Sequence, residues 1–370
     1  MRRIHLLIAM LLVLAAMPMG IGRSVTLASG ELTSCDPVTA AATPAATGEA
    51  AASLIATPAT GDMTKVSFGY IPVMSFAPVY VAEGLGYFAE QGLDVDLQQF
   101  AGGSEMIAQL ATNDLNVGFG GAGPGLFNAF QQGLPLRIIA PGHHEGNPVA
   151  TPLVVAKSKC ESGEIRSVAD LKGKKVAINA PGATEYWLSQ ALAQGGLTMD
   201  DVDLQTLPFS DAVVALQSGA IDAALLGEPT ATLAEQQGIG VRLTTDFDVQ
   251  SITPTMVYAN TDFLSQNPDA AVGLMAAYMK ACQAIMERGF SDPEILPIIA
   301  EYTGLPAELI SASVSPQFSV DGSISVDSLT TLQTFFRSLG ELSYDTDIDP
   351  ATMIDDGPVT AAMAMLDGGN

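Results

Sequence analysis

The chain has 370 residues, 48% of them hydrophobic and 15% charged, with a formal net charge of -25. Acidic residues outnumber basic ones 40 to 15, which argues against a nucleic-acid partner, because neutralising phosphates needs clustered Lys and Arg. Three cysteines with no C-x-x-C or His/Cys spacing argue against a metal site, and the length suits two compact domains behind a leader.

Residues 1–35 read as an export leader. Arg2 and Arg3 precede the apolar run from Leu6 to Met17, which Pro18 and Gly20 break, the layout of a signal peptide. The run falls short of the ~20 residues that span a bilayer as a helix. An exported protein is therefore expected, in the periplasm or at the outer face of the cytoplasmic membrane. Two endings of the leader stay open: Leu32-Thr33-Ser34-Cys35 as a lipobox, making Cys35 a lipidation site and membrane anchor, or an ordinary cut near Ala28. The export route, Sec or twin-arginine, stays open too. Residues 36–63 are mostly Ala, Thr, Pro and Gly and read as a flexible tether. Cys160 and Cys282 then remain, which do not make a disulfide framework.

An internal repeat follows. Lys65-Val66-Ser67-Phe68-Gly69-Tyr70 and Lys175-Val176-Ala177-Ile178-Asn179-Ala180 each read as a short strand ending in a Gly/Pro loop. Helical spacing then runs over Pro78 to Gln91 and over Glu185 to Gln194. Both copies continue with the same pentapeptide, at Asp94 to Gln98 and at Asp201 to Gln205, whose alternation predicts a second strand. Ser104-Glu105 and Ser210-Asp211 each open another helix, Ser as N-cap and the acid at the positive helix end. Third strands are expected at Leu115 to Gly120 and Ile221 to Leu226, closing on Gly121-Ala122-Gly123-Pro124 and Gly227-Glu228-Pro229. Two successive β-α-β-α-β units imply two α/β lobes with parallel sheets.

The β-rich runs Pro152 to Ala156 and Thr255 to Asn260 flank the second unit as crossings between lobes. Lobe I is accordingly expected at 64–156 plus 250–345, lobe II at 157–249, and a C-terminal tail at 346–370. A helix over Asp269 to Arg288 should complete lobe I, with Val272, Met275, Met279, Cys282 and Met286 forming a packing stripe.

Ligands of open α/β sheets bind beyond the carboxyl ends of the strands, near helix amino ends rich in unpaired N–H groups. Both lobes offer such loops to one crevice. Ser75, Phe76, Gly103, Ser104, Gly123 and His143 are the expected ligand contacts from lobe I, and Thr184, Glu185, Trp187, Phe209, Asp211 and Glu228 those from lobe II.

The chain resembles a known family over about Thr64 to Leu342, the periplasmic binding proteins for nitrate, taurine, aliphatic sulfonates and the thiamine pyrimidine precursor. The resemblance rests on Phe68-Gly69-Tyr70-Ile71-Pro72, on Ala82-Glu83-Gly84-Leu85-Gly86-Tyr87-Phe88, on Gly102-Gly103-Ser104-Glu105, on Asp170 to Val176 and on Gly219-Ala220-Ile221-Asp222-Ala223. It implies the two-lobed, type II fold, closure of the lobes on a small molecule, and delivery by a monomer to the permease of an ABC transporter. It implies neither a catalytic group nor a cofactor. A pyrimidine synthase shares that family's fold, but its dense cysteine motif is missing here, as are G-x-S-x-G, H-E-x-x-H and a P-loop. A sensing role is the other rival.

The proposed cleft loops hold Glu105, Glu145, Glu185, Asp211 and Glu228 but no Lys or Arg. Carboxylates beside Phe76, Tyr186, Trp187 and Phe209 suit a neutral or cationic ring, so an aminopyrimidine-like heterocycle is the first expectation and a sulfonate, taurine or nitrate the alternative.

Overall fold

A computed structural model describes Leu32 and residues 34–36, 53–100 and 103–368. The expected leader, apart from Leu32, Ser34 and Cys35, and most of the expected tether lie outside the described residues. The first unit runs β1 (Thr64–Tyr70), a 3-10 turn at Met74–Phe76, α1 (Ala77–Gly84), α2 (Tyr87–Glu90), β2 (Leu93–Gln99), α3 (Gly103–Ala111), β3 (Val117–Gly121), α4 (Pro124–Gln131), β4 (Leu136–Pro141) and β5 (His143–His144). The second runs β6 (Leu153–Ala156), α5 (Lys157–Glu161), β7 (Lys175–Ile178), α6 (Ala183–Ala193), β8 (Asp203–Thr206), α7 (Phe209–Ser218), β9 (Ala223–Leu225), α8 (Thr230–Gln236) and β10 (Gly240–Thr244). The chain returns through β11 (Thr255–Asn260), α9 (Thr261–Gln266), α10 (Pro268–Arg288), α11 (Leu296–Thr303), α12 (Ala307–Ala312), β12 (Gln317–Phe318), α13 (Val326–Ser338) and α14 (Gly357–Gly368).

Two five-stranded sheets result, ordered β2-β1-β3-β11-β4 and β10-β6-β9-β7-β8. Read from the repeated pentapeptide outward, the orders match strand for strand. The acidic copies β2 and β8 are both sheet edges, where Asp side chains discourage pairing with another chain. The fourth strand of each sheet runs antiparallel to the third: β11 to β3 and β6 to β9. These two strands are exchanged between units, β6 arriving before the second unit and β11 after it. The expected lobe boundary at residue 156 is corrected by this pairing, because β6 belongs to the second sheet.

Three further differences have local causes. The single helix expected over Pro78 to Gln91 is split into α1 and α2 at Gly86, whose φ of 76° is a left-handed turn that ends one helix and starts the next. Along the stripe on α10, Met275, Met279 and Cys282 are buried, Val272 is half-buried, and Met286 is 37% exposed. The segment expected as a tail instead packs: Ile354 bridges β4 at Ile138, and Val359 and Ala362 of α14 enter the lobe I core beside α10. These two residues lie three apart, with Met363 and Leu366 packed next to them, the spacing of one helical face.

Cys35 is bonded to Cys160 of α5. Lipidation of Cys35, one of the two leader endings left open by the sequence, is corrected by this bond, since a sulfur in a disulfide has no valence left for a thioether to lipid. Leu32 reinforces the attachment, donating its N–H to Arg166 O at 2.6 Å with a buried side chain. Further along, Ala56 and Ala59 donate to Leu85 O and Ala89 O on lobe I. The remaining thiol, Cys282, is buried.

Candidate functional site

A cleft of about 470 Å³ lies between the sheets, lined by residues of both units. The carboxyl ends of β1, β3, β7 and β9 feed it, and so do the amino ends of α3, α6 and α7 at Gly103, Ala183 and Phe209. The sequence order forces this: every strand-to-helix loop of a parallel unit emerges on the same side.

Of the predicted contacts, Ser75, Phe76, Gly103, His143, Thr184, Trp187, Phe209 and Glu228 line the cleft. Phe76 meets Phe119 edge-on, with ring centroids 4.6 Å apart. Phe209 lies over Gly227, where a β-carbon would fall 2.9 Å from its ring, so the glycine is what lets this aromatic wall close down. The side chain of Ser104 lies outside the described residues.

Glu185, Asp211 and Gly123 do not line the cleft. Glu185 turns back on its own helix, accepting the Gly182 N–H at 2.6 Å. There it meets Glu341, and burial together with that second carboxyl pushes it up to about 7. Asp211 is exposed in the first turn of α7, where it complements the helix dipole. Gly123 instead faces Gly182 across the lobes: a β-carbon on Gly123 would lie 3.8 Å from Gly182 Cα.

The two carboxylates that do reach the cleft are already occupied. Glu145 accepts Trp187 Nε1 at 2.9 Å and the Ala150 N–H, so a lobe II indole docks on a lobe I loop. Burial raises the Glu145 carboxyl, partly offset by hydrogen bonds from Trp187, Thr151 and Ala150. Glu228 accepts from Arg242 Nη2 at 2.7 Å and from the N–H and hydroxyl of Thr232 at 3.1 and 3.0 Å. Arg242 also donates from Nε to Glu235 at 2.6 Å. This interior cation was hidden from sequence reasoning, since it sits on β10, away from every strand-end loop.

His143 is buried beside Thr255. The Thr255 hydroxyl accepts the His143 main-chain N–H at 2.9 Å and lies 2.8 Å from Nδ1. Burial, with His144 adding, pushes this imidazole down to about 3, so it is neutral. The Thr184 hydroxyl bridges Asn179 Oδ1 and Ala180 O at 2.9 and 2.8 Å and stiffens the loop before α6. Thr151, Asn179 and Thr255 complete the polar lining. None of these three was among the contacts expected from the sequence. Thr151 and Thr255 flank the crossings, and their positions beside strand ends of the exchanged strands β6 and β11 are the signal that would have found them.

No Lys or Arg is among the lining residues, and no group of three or more metal-capable side chains occurs among the described residues. No described helix is long and apolar enough to cross a membrane. The arrangement leaves a cavity between aromatic walls and helix amino ends.

Known proteins match this architecture. The sequence profile of the NMT1-like family covers residues 59–300. A putative aliphatic sulfonates-binding protein of Escherichia coli (strain K12) is 29% identical over 214 residues, 58% of this chain and 64% of that protein. The bicarbonate transport ATP-binding protein CmpC of Synechococcus elongatus is 27% identical over 268 residues, 69% of this chain and 40% of its own length. The chain thus spans less than two thirds of the length of these curated relatives. The crystal structure of the periplasmic nitrate-binding protein NrtA from Synechocystis PCC 6803 superposes with a TM-score of 0.68 at 20% identity, over 82% of this chain and 89% of that one. Its fold is the two-lobed fold described above.

Proposed function

We propose that this chain, which belongs to the NMT1-like family, is the extracytoplasmic substrate-binding protein of an ABC importer, closing as a monomer on a small organic molecule and presenting it to a permease. The ligand is a molecule with an oxygen-rich acceptor head and an apolar body, a sulfonate being the leading class. One observation carries this reading: the amino ends of α3, α6 and α7 converge on a cleft whose two carboxylates are already spent on internal donors. Each helix end carries roughly half a positive charge. Together these ends favour an acceptor head without any lining Lys or Arg, while Phe76, Trp187 and Phe209 enclose an apolar body. The names of the sulfonate-binding relatives support the same class.

The heterocycle reading loses its main argument. It relied on free carboxylates to accept ring N–H groups, and Glu145 and Glu228 are engaged while Glu185 and Asp211 are elsewhere. The aromatic walls still favour it as the second reading. A melting panel separates the two, because a ligand that binds only the folded state raises apparent stability by mass action. We expect alkane- and arylsulfonates to raise the melting temperature of the purified protein and 4-aminopyrimidines to leave it unchanged. The opposite pattern returns the heterocycle to first place.

A further inference from the structure

Tyr258 of β11 is fully buried, and its hydroxyl has no hydrogen-bond partner. Leaving a buried hydroxyl unpaired forfeits its hydration with nothing in return, so such a group calls for a reason. Tyr80 and Tyr278, buried as deeply in the same lobe, each donate to a main-chain carbonyl, Val73 O and Pro141 O, at 2.9 Å. Tyr258 is different because of where its ring lies. It pairs in register with Gly118 of β3, and its ring runs along β3 over Gly118 and Gly120 toward the cleft end of that strand. A β-carbon at Gly118 would fall 3.2 Å from the ring, and one at Gly120 would fall 1.8 Å from the hydroxyl. The alternating glycines of Val117-Gly118-Phe119-Gly120-Gly121 thus form a track in the sheet surface that only a chain without side chains there provides.

The track ends at the cleft. A β-carbon on Gly103, the first residue of α3, would lie 3.5 Å from the Tyr258 hydroxyl and 3.6 Å from Gly121 N. Gly103 and Gly121 both line the cleft, and a β-carbon on Gly121 would meet nothing nearer than Pro254 O at 4.0 Å. No side chain of these two residues stands between the hydroxyl and the cavity. Three features therefore meet at one spot: the amino end of a nine-residue helix, a main-chain nitrogen, and a buried donor with nothing to donate to.

Resting on the sulfonate-class reading above, we infer that the Tyr258 hydroxyl is a specificity-determining donor that hydrogen-bonds the acceptor head of the ligand at the amino end of α3. Burial keeps the phenol protonated by raising its ionisation well above the ordinary value, so it donates at any physiological pH. Its bond to a ligand oxygen satisfies the orphan group only in the bound state, which makes it worth more than a hydroxyl that water already satisfied.

The test is Tyr258→Phe, which keeps the ring in its track and removes one oxygen. Benzenesulfonate binding to wild type and variant is measured by calorimetry, with the ligand-free melting temperature of each. We expect affinity to fall about ten-fold or more, as for loss of a hydrogen bond to a charged acceptor, with ligand-free melting unchanged or raised. Equal affinities overturn this inference and leave the sulfonate reading intact. A lowered ligand-free melting temperature also overturns it, since the hydroxyl would then be serving the fold. If wild type does not bind benzenesulfonate, both the ligand class and this role for Tyr258 fall together.

Discussion

Glu185 holds its proton up to about pH 7 because burial at the amino end of α6, with Glu341 beside it, disfavours the charged form. In the unfolded chain it titrates near 4.5. The folded protein therefore binds the extra proton between these values, and the stability it contributes below pH ~4.5 is lost as pH rises through about 7. His143 acts in the opposite sense: lowered from 6.5 to about 3, it contributes stability above 6.5 that is lost as pH falls toward 3. Calorimetric melting across pH 4 to 8 should show the stability of the Glu185→Gln variant rising relative to wild type between pH ~5 and 7. An unchanged profile would place the proton elsewhere. Trp187→Phe should lower stability by roughly 1–3 kcal/mol, measured by urea unfolding, because the buried Glu145 carboxylate loses its indole donor. Much of the cleft was legible at this scale, since Phe76, Trp187 and Phe209 lie in the first turns that follow strand-end loops. The state of its carboxylates was not. Sequence shows that Glu228 ends a strand but not that Arg242, fourteen residues on, points back at it.

Among the elements, α4 and α6 meet across the lobes through two glycines that precede them. Gly182 has φ of 128°, a conformation rarely open to other residues, and it faces Gly123 with ordinary van der Waals spacing. A methyl group fits at Gly123, and a branched side chain adds bulk beyond a β-carbon that already lies in contact with Gly182 Cα. Gly123→Val should therefore hold the lobes apart, weakening ligand binding by ten-fold or more with far-UV circular dichroism unchanged and a larger radius of gyration by X-ray scattering. Unaltered scattering and affinity would show that this contact does not limit closure. The repeated pentapeptide was a sound guide to β2 and β8 because edge strands carry a visible signature, Asp alternating with apolar residues. The exchanged strands gave no such cue. Leu153-Val154-Val155-Ala156 is apolar on both faces and fits the middle of either sheet, so only pairing with β9 and β10 decides its lobe.

At the scale of the molecule, the N-terminal segment is fastened to both lobes, to lobe II by Cys35–Cys160 and to lobe I through Ala56 and Ala59. This was illegible in sequence because the two cysteines are 125 residues apart and spacing alone does not assign partners. Cross-linking so long a loop restricts the unfolded chain, so Cys160→Ser should lower stability by about 2–5 kcal/mol, seen as a lower melting temperature under non-reducing conditions. No change would mean that the bond does not form in solution. The loop it closes contains nearly all of the first unit and its passage into the second sheet, so its two ends both reside on lobe II. A protease that cuts any exposed loop between these cysteines therefore liberates nothing: the nicked molecule migrates intact on a denaturing gel, and the fragments separate only when a reductant is added.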